Sequence, residues 1–304
     1  LKASPPPLRI DGSTGLCCLI GNPVRHSISP QMHNAAFQAL NLNLVYLAFQ
    51  VEDGLGEAVK GLRSLGVKGF NVTIPYKVSV MDHLDALDDS ALRIGAVNTV
   101  LNRDGTLIGY NTDGRGFIRS IGIENIKDRG LTVLGAGGAA RAIVYESARY
   151  ASRIFILNRT LSRAEALAEE VASRLGLSLD TEIEAMPLNP GSLRKALEHS
   201  SLLANATPIG MYPRVDESPV PEGLLRRDLT VFDAVYNPLE TRLLREARLI
   251  GATTVNGLEM LIHQGGEAFK IWTGLDPPIE AMRSAALKAL RGHGRPRGAW
   301  RVKP

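Results

Sequence analysis

The chain has 304 residues, with 35 Lys and Arg against 31 Asp and Glu for a formal charge of +4, and it is 44% apolar and 22% charged. This composition excludes a dominantly disordered chain, and the length suffices for two cores of roughly 150 residues each. No apolar run approaches the ~20 residues of a membrane-spanning helix, and Leu16–Ile20 is too short for the apolar centre of a secretory signal, so a soluble, cytoplasmic protein is expected.

Residues 1–15, rich in Pro, Ser and Gly, read as a loose lead-in, and Leu1 in place of Met suggests a nonstandard start, trimming or excision from a larger polypeptide. Strands and helices then alternate: strand Leu16–Ile20, helix Pro30–Leu40, strand Val45–Phe49, helix Gly54–Leu65, strand Gly69–Thr73 and a helical stretch Ser79–Leu87. The apolar segments Ala96–Leu101 and Thr106–Ile108 are joined by Asn102-Arg103-Asp104-Gly105, a hairpin signal that predicts an antiparallel edge. After Lys127-Asp128-Arg129-Gly130 a second alternation begins with strand Leu131–Leu134, a glycine-rich turn, a helix to about Tyr150, strand Arg153–Leu157 and helix Ser162–Leu175. Short strands are predicted near Leu202–Ala204, Thr230–Ala234 and Thr253–Asn256, and the pattern is helical from Leu258 to Leu290, broken at Asp276-Pro277-Pro278. Strands separated by ten-residue helices predict βαβ units and a mainly parallel sheet, and no repeat of solenoid length is present.

Cys17 and Cys18 are adjacent, so on a strand their side chains leave opposite faces, which excludes a disulfide framework. The six histidines form no HxxxH or HExxH pattern, and no metal is expected. No zinc finger or interleaved aromatic and basic motif points to nucleic acid. Residues 291–304 hold five Lys and Arg and no acid, so the basic balance is mostly this Gly- and Pro-rich tail, which is expected to be flexible.

Gly135-Ala136-Gly137-Gly138-Ala139-Ala140 fits GxGxxG/A between an apolar strand and an alanine-rich helix. The first glycine makes the tight turn, the second lets the backbone approach a pyrophosphate, and the small third residue lets helix and strand pack. The helix N-terminus then favours the anion through its free N–H groups and dipole. The next strand ends in Asn158-Arg159-Thr160, with Arg163 a turn further on, where an acid selective for NAD would sit. Guanidinium groups there pair with a 2′-phosphate and favour NADP, unless they are solvated helix-start charges.

The first half carries polar clusters at predicted strand ends, where open α/β sheets bind ligands. Ser27 and Ser29 lie on one side of an extended segment and can both donate to a carboxylate; by themselves they fit equally an N-cap followed by Pro30. Asn71 and Thr73 alternate onto one face, and Pro75 delivers Lys77 beyond the strand end. Gly95-Ala96-Val97-Asn98-Thr99-Val100 and Gly109-Tyr110-Asn111-Thr112-Asp113-Gly114 follow; Asp113 alone would also serve as an N-cap.

These four segments in this order resemble the shikimate dehydrogenase family. Asn158-Arg159-Thr160, Asn205-Ala206-Thr207-Pro208-Ile209-Gly210-Met211, Asp233-Ala234-Val235-Tyr236-Asn237-Pro238 and Asn256-Gly257-Leu258-Glu259-Met260-Leu261-Ile262-His263-Gln264 extend the resemblance over about Leu16 to Leu290. It implies a two-domain α/β enzyme, cytoplasmic, for the NADP-linked reversible reduction of 3-dehydroshikimate to shikimate on the route to chorismate and the aromatic amino acids. Residues 1–121, completed by helices in 258–304, would form the substrate-binding catalytic domain, and 122–257 a Rossmann-like NADP-binding domain. Carried onto this chain, Ser27 and Ser29 would bind the substrate carboxylate, and Asn71, Thr73, Asn98 and Gln264 its ring hydroxyls, with Tyr236 lining the site near the nicotinamide. Ala136, Gly137, Gly138 and Ala139 would cradle the pyrophosphate, and Gly135 and Thr207 would also bind the cofactor. Asn158, Arg159, Thr160 and Arg163 would hold its 2′-phosphate, and Gly257 and Met260 would lie against the nicotinamide. The resemblance also implies a small-molecule substrate, no nucleic-acid or membrane partner, and a monomer or homodimer.

Lys77 and Asp113 would form the catalytic pair. As hydride leaves C3 the 3-hydroxyl loses its proton, and a cation beside that oxygen stabilises the developing charge and can move the proton. Either member is a candidate base. His26, His33 and His263 read as packing or neighbouring polar groups. A quinate dehydrogenase and a noncatalytic ligand-sensing module on the same fold are the alternatives; Ser27, Ser29, Asn158 and Arg159 argue against the first, and Lys77 with Asp113 against the second. Closure of the two domains about crossings near Asp113–Ile121 and Leu258 is expected to exclude water.

Overall fold

Two six-stranded sheets organise residues 10–175 and 181–292, the residues that the computed structural model describes. The chain runs through β1 (Gly15–Gly21), α1 (Ser29–Ala39), β2 (Leu44–Gln50), α2 (Leu55–Ser64), β3 (Gly69–Val72), β4 (Ala86–Leu87), α3 (Asp89–Ile94), β5 (Thr99–Arg103), β6 (Thr106–Tyr110) and α4 (Asp113–Ile121). It continues through β7 (Gly130–Leu134), α5 (Gly138–Ser147), β8 (Arg153–Asn158), α6 (Leu161–Leu175), β9 (Glu182–Pro187), α7 (Pro190–Glu198), β10 (Leu202–Asn205), β11 (Thr230–Asp233), α8 (Arg242–Leu249) and β12 (Thr253–Asn256). Then α9 (Gly257–Thr273) and α10 (Ile279–Gly292) return to the first sheet, where α9 lies against α4 and α10 against α1.

The first sheet has the order β2-β1-β3-β5-β6-β4. The inner strand β1 is covered on both faces, which is why Leu16–Ile20 reads as an unbroken apolar run rather than an alternating one. Cys17 packs with α1 and α9 residues such as Phe37 and Phe269, while Cys18 packs on the other face with Val59 and Phe70. Both thiols are buried, and burial pushes Cys17 up to about 12 and Cys18 upward as well, so neither is a reactive thiolate.

The second sheet is all parallel, in the order β12-β11-β10-β7-β8-β9. Numbered from its own first strand this is the doubly wound 3-2-1-4-5-6 arrangement, in which the strand order reverses between β7 and β10 and leaves a crevice at their carboxyl ends.

Several expectations are corrected. The Asp104-Gly105 turn does join β5 to β6, but neither is at an edge: β5 runs antiparallel to both β3 and β6 inside the sheet, and the edge strands are β2 and β4. Ser79–Leu87 is not one helix; a 3-10 turn at Ser79–His83 is followed by the two residues of β4. The helix expected to reach Tyr150 ends at Ser147. The sequence reading also lacked α3, β9, α7 and α8. The beginning of the lead-in and residues 293–304 of the basic tail lie outside the described residues. Among the described residues no helix is long and apolar enough to cross a membrane.

Candidate active site

Between the two sheets lies a cleft of about 360 Å³. It is lined by Ser27, Ser29, Asn71, Thr73, Lys77, Asn98, Asp113, Ala139, Tyr236, Gly257, Met260 and Gln264, so twelve residues singled out in the sequence meet in one place. The serines converge differently from the extended reading. Ser27 lies in a turn, its N–H donating to the Val24 carbonyl at 3.0 Å, and its hydroxyl sits 3.1 Å from that of Ser29. The cap position of α1 is Ile28, with no side-chain bond, but Ser27 Oγ accepts from the Ser29 N–H at the helix start at 3.2 Å. Both hydroxyls remain in reach of a shared acceptor in the cleft.

Lys77 is delivered by the loop after β3. Thr73 N–H donates to Ile20 O at 3.0 Å, Tyr76 N–H turns back to Thr73 O, and the Lys77 carbonyl accepts from Val97 N–H at 2.7 Å. The chain is thus held on both sides of the lysine. Its Nζ lies 2.6 Å from Asp113 Oδ2. Asp113 occupies the first turn of α4, but Thr112 is the cap residue, so the carboxylate is free of capping. Its second oxygen, Oδ1, accepts from Asn98 Nδ2 at 2.8 Å.

Gln264 arrives from α9. Its Oε1 accepts from Asn98 Nδ2 at 3.2 Å and Thr112 Oγ1 at 3.3 Å. The approach depends on Gly116 of α4, where a Cβ would lie 2.8 Å from Gln264 N and 2.7 Å from its Cβ. No rotamer change relieves a clash with backbone, so overpacking of ~1–3 kcal/mol should outweigh the ~1 kcal/mol that a helix gains from Ala over Gly. Gly116→Ala is accordingly expected to lower the urea midpoint with an unchanged m-value; an unchanged or raised midpoint would contradict this packing.

Tyr46, Thr99 and Thr112 also belong to the floor, although the sequence reading gives them no role. Tyr46 Oη donates to Asn71 Oδ1 at 2.7 Å, and Thr99 and Thr112 bond Asn98. A buried tyrosine on a strand reads as core, and only the partner across two strands exposes its polar end. Of the three histidines, His33 is buried and stacks on Tyr46 with centroids 4.4 Å apart, and burial lowers it to about 3, so it stays neutral. His26 lines the cleft mouth, and burial lowers His263 beside Glu259. Burial likewise raises the Tyr236 phenol.

The remaining predicted residues lie along the carboxyl edge of the second sheet rather than in the cleft wall. Gly135 takes φ +106°, which its position requires, and its N–H donates to Leu157 O at 2.8 Å, placing Asn158-Arg159-Thr160 beside the turn. Thr207 flanks the same crevice from the end of β10, with its hydroxyl on Asn205 Oδ1 at 2.7 Å. At Gly137 and Gly138 a Cβ would meet nothing within 4 Å, and no side chain caps the start of α5. Arg159 and Arg163 are exposed, and no described carboxylate pairs with either. An open, uncapped helix start with unpaired guanidinium groups beside it fits a dinucleotide carrying an extra phosphate.

A doubly wound sheet with this turn at its switch point, facing a separate polar pocket across a cleft, defines a nicotinamide-dinucleotide oxidoreductase with its own substrate-binding layer. The model of the shikimate dehydrogenase substrate binding domain matches residues 19–100, and that of the shikimate 5'-dehydrogenase C-terminal domain matches residues 257–287. A shikimate dehydrogenase (NADP(+)) of Methanocaldococcus jannaschii is 48% identical over 285 residues, 92% of this chain and 99% of its own. The chain belongs to the shikimate dehydrogenase family. Among solved structures, a shikimate dehydrogenase in complex with NADP+ superposes with a TM-score of 0.86 at 46% identity, covering 93% of this chain and 98% of the other. The shikimate 5-dehydrogenase of Listeria monocytogenes in complex with shikimate and NAD gives 0.85 at 40% identity, covering 91% and 97%.

Proposed function

We propose that this protein catalyses the reversible NADP-linked reduction of 3-dehydroshikimate to shikimate, with Lys77 and Asp113 as the pair that handles the proton. The observation that carries the reading is the 2.6 Å Lys77–Asp113 contact inside a cleft that also holds two serines, two asparagines, a threonine and a glutamine. Ser27 and Ser29 take the substrate carboxylate. Asn71, Thr73, Asn98 and Gln264 hold the ring hydroxyls and fix which carbon faces the second sheet, and Tyr236 and Met260 wall that side. NADP, when bound, accepts the hydride from C3. Lys77 sits beside the C3 oxygen, stabilises negative charge as the carbonyl forms, and exchanges the proton with Asp113. Residues 1–121, completed by 258–304, serve as the substrate domain and 122–257 as the NADP domain, with α4 and α9 as the two crossings; the separate sheets support this division.

Initial rates at 340 nm on shikimate and quinate, each with NADP and NAD, test the reading. Shikimate with NADP is expected to give the highest kcat/KM. Faster turnover of quinate with NAD would favour the neighbouring specificity, and no absorbance change with any pair would point to a ligand-sensing module.

A further inference from the structure

We propose that Tyr46 and Thr99 are positioning residues that set the hydrogen-bond direction of the cleft floor through Asn71 and Asn98, a proposal that rests on the reading above. Two backbone groups fix the direction. Thr112 N–H can only donate, and it reaches Asn98 Oδ1 at 2.8 Å, so Nδ2 of that amide is the end facing Asp113 Oδ1 at 2.8 Å. The Asn98 backbone carbonyl can only accept, and it lies 3.1 Å from Asn71 Nδ2, so Oδ1 of Asn71 is the end facing Tyr46.

With both amides oriented, the hydroxyl protons follow, Thr99 Oγ1 having in Asn98 Oδ1 at 3.0 Å a nearer acceptor than Thr112 Oγ1 at 3.4 Å. Tyr46 Oη donates to Asn71 Oδ1 at 2.7 Å; Thr99 Oγ1 accepts from Asn71 Nδ2 at 3.0 Å and gives its single proton to Asn98 Oδ1 at 3.0 Å. The bonds therefore run one way, from Tyr46 through Asn71, Thr99 and Asn98 to Asp113, and end on the carboxylate that Lys77 holds by its other oxygen. Tyr46 and Thr99 are 0% exposed, so no bulk water replaces a missing member. Bonds aligned in one direction polarise one another, and this chain directs its donors at Asp113.

The direction also constrains the ligand. Both Asn71 Nδ2 protons are committed, to Asn98 O and Thr99 Oγ1, so Asn71 offers a ligand only an Oδ1 lone pair. A group bound there must donate, which a ring hydroxyl does and an ether or carbonyl oxygen does not. The Thr99 hydroxyl thereby holds the two asparagines in register, one facing substrate and the other facing the catalytic carboxylate.

Steady-state kinetics on shikimate and NADP for Thr99→Val, Thr99→Ser and Tyr46→Phe test this, with thermal unfolding run beside them. A buried polar partner left unpaired costs about 1–3 kcal/mol, so Thr99→Val should lower kcat by roughly 5–100-fold while KM for NADP stays within about twofold. Thr99→Ser keeps the hydroxyl and should recover kcat to within about threefold of wild type, and Tyr46→Phe should act chiefly by raising KM for shikimate. Wild-type kcat in Thr99→Val, or Thr99→Ser as slow as Thr99→Val, overturns the proposal. If Thr99→Val does not fold, Tyr46→Phe with unchanged KM and kcat overturns it instead. Wild-type protein that leaves shikimate unoxidised overturns the functional reading and this proposal with it, whereas active wild type with unaffected variants overturns the positioning role alone.

Discussion

Lys77→Ala is expected to lower kcat by about 10²–10⁴-fold, with a much smaller change in KM for shikimate. On the proposed mechanism the lysine would act on the transition state rather than on the ground state. In the proposed site the substrate carboxylate and ring hydroxyls would be shared among Ser27, Ser29, Asn71, Thr73, Asn98 and Gln264, all of which line the cleft, so removing one ammonium would leave most of the contacts. On the proposed mechanism, what would be lost is the cation beside the C3 oxygen as charge develops on it, and the group through which the proton would pass. Asp113 would remain, still accepting from Asn98 at 2.8 Å, but separated from the reacting oxygen by the gap the lysine fills. Steady-state kinetics on shikimate with saturating NADP measure this directly. A kcat within threefold of wild type would remove Lys77 from the chemistry, and a loss confined to KM would reduce it to a binding residue. Lys77→Met, closer in shape, separates the two members of the pair: its pH–rate profile keeps only what Asp113 contributes.

The second large effect is on cofactor choice. Arg159→Ala is expected to lower kcat/KM for NADP by roughly 10–100-fold while leaving the value for NAD nearly unchanged, since a charge-assisted hydrogen bond is worth about 1.5–3 kcal/mol. Arg159 follows β8, whose last pairs bring it beside Gly135, and it is exposed with no described carboxylate to neutralise it. Arg163, one helical turn on in α6, should add a smaller share, and the double variant Arg159→Ala with Arg163→Ala should bring the two cofactors close to parity. An unchanged NADP to NAD ratio in both variants would assign these arginines to solvent.

What was legible in the sequence was whatever depends on near neighbours. The glycine turn lay between a strand and a helix within a few residues, and all of its parts are found there. Strand pairs such as β7 and β8, and the Asp104-Gly105 turn between β5 and β6, follow from local patterning as well. The place of β5 inside its sheet does not, because it depends on β3 pairing with it across about thirty residues. The missed elements have local causes. β9 interrupts its apolar residues with an exposed Glu182 and a half-buried Glu184, and α8 reads Arg-Leu-Leu-Arg-Glu-Ala-Arg-Leu, too short and too charged for its apolar face to stand out. For α7 the cue was present: Asn189 caps it by accepting from Ser192 N–H, and Pro190 takes the first helical position.

The site divides in the same way. Twelve of the residues drawn from compact motifs line one cleft, and the others lie along the carboxyl edge of the second sheet. Tyr46 was not singled out, because its only sign is a hydrogen bond to Asn71, two strands away across β1. Ser27 and Ser29 do come together, but on a different backbone: a turn brings their hydroxyls within 3.1 Å where an extended segment was expected.

The central claim is that hydride passes between C3 of shikimate and NADP in this cleft. Shikimate carrying deuterium at C3, incubated with the protein and NADP, tests it by mass spectrometry and NMR of both products. Deuterium recovered at C4 of the reduced nicotinamide, with 3-dehydroshikimate as the second product, is the predicted result. Deuterium retained in the oxidised product, or absent from the nicotinamide while NADP is reduced, would contradict it.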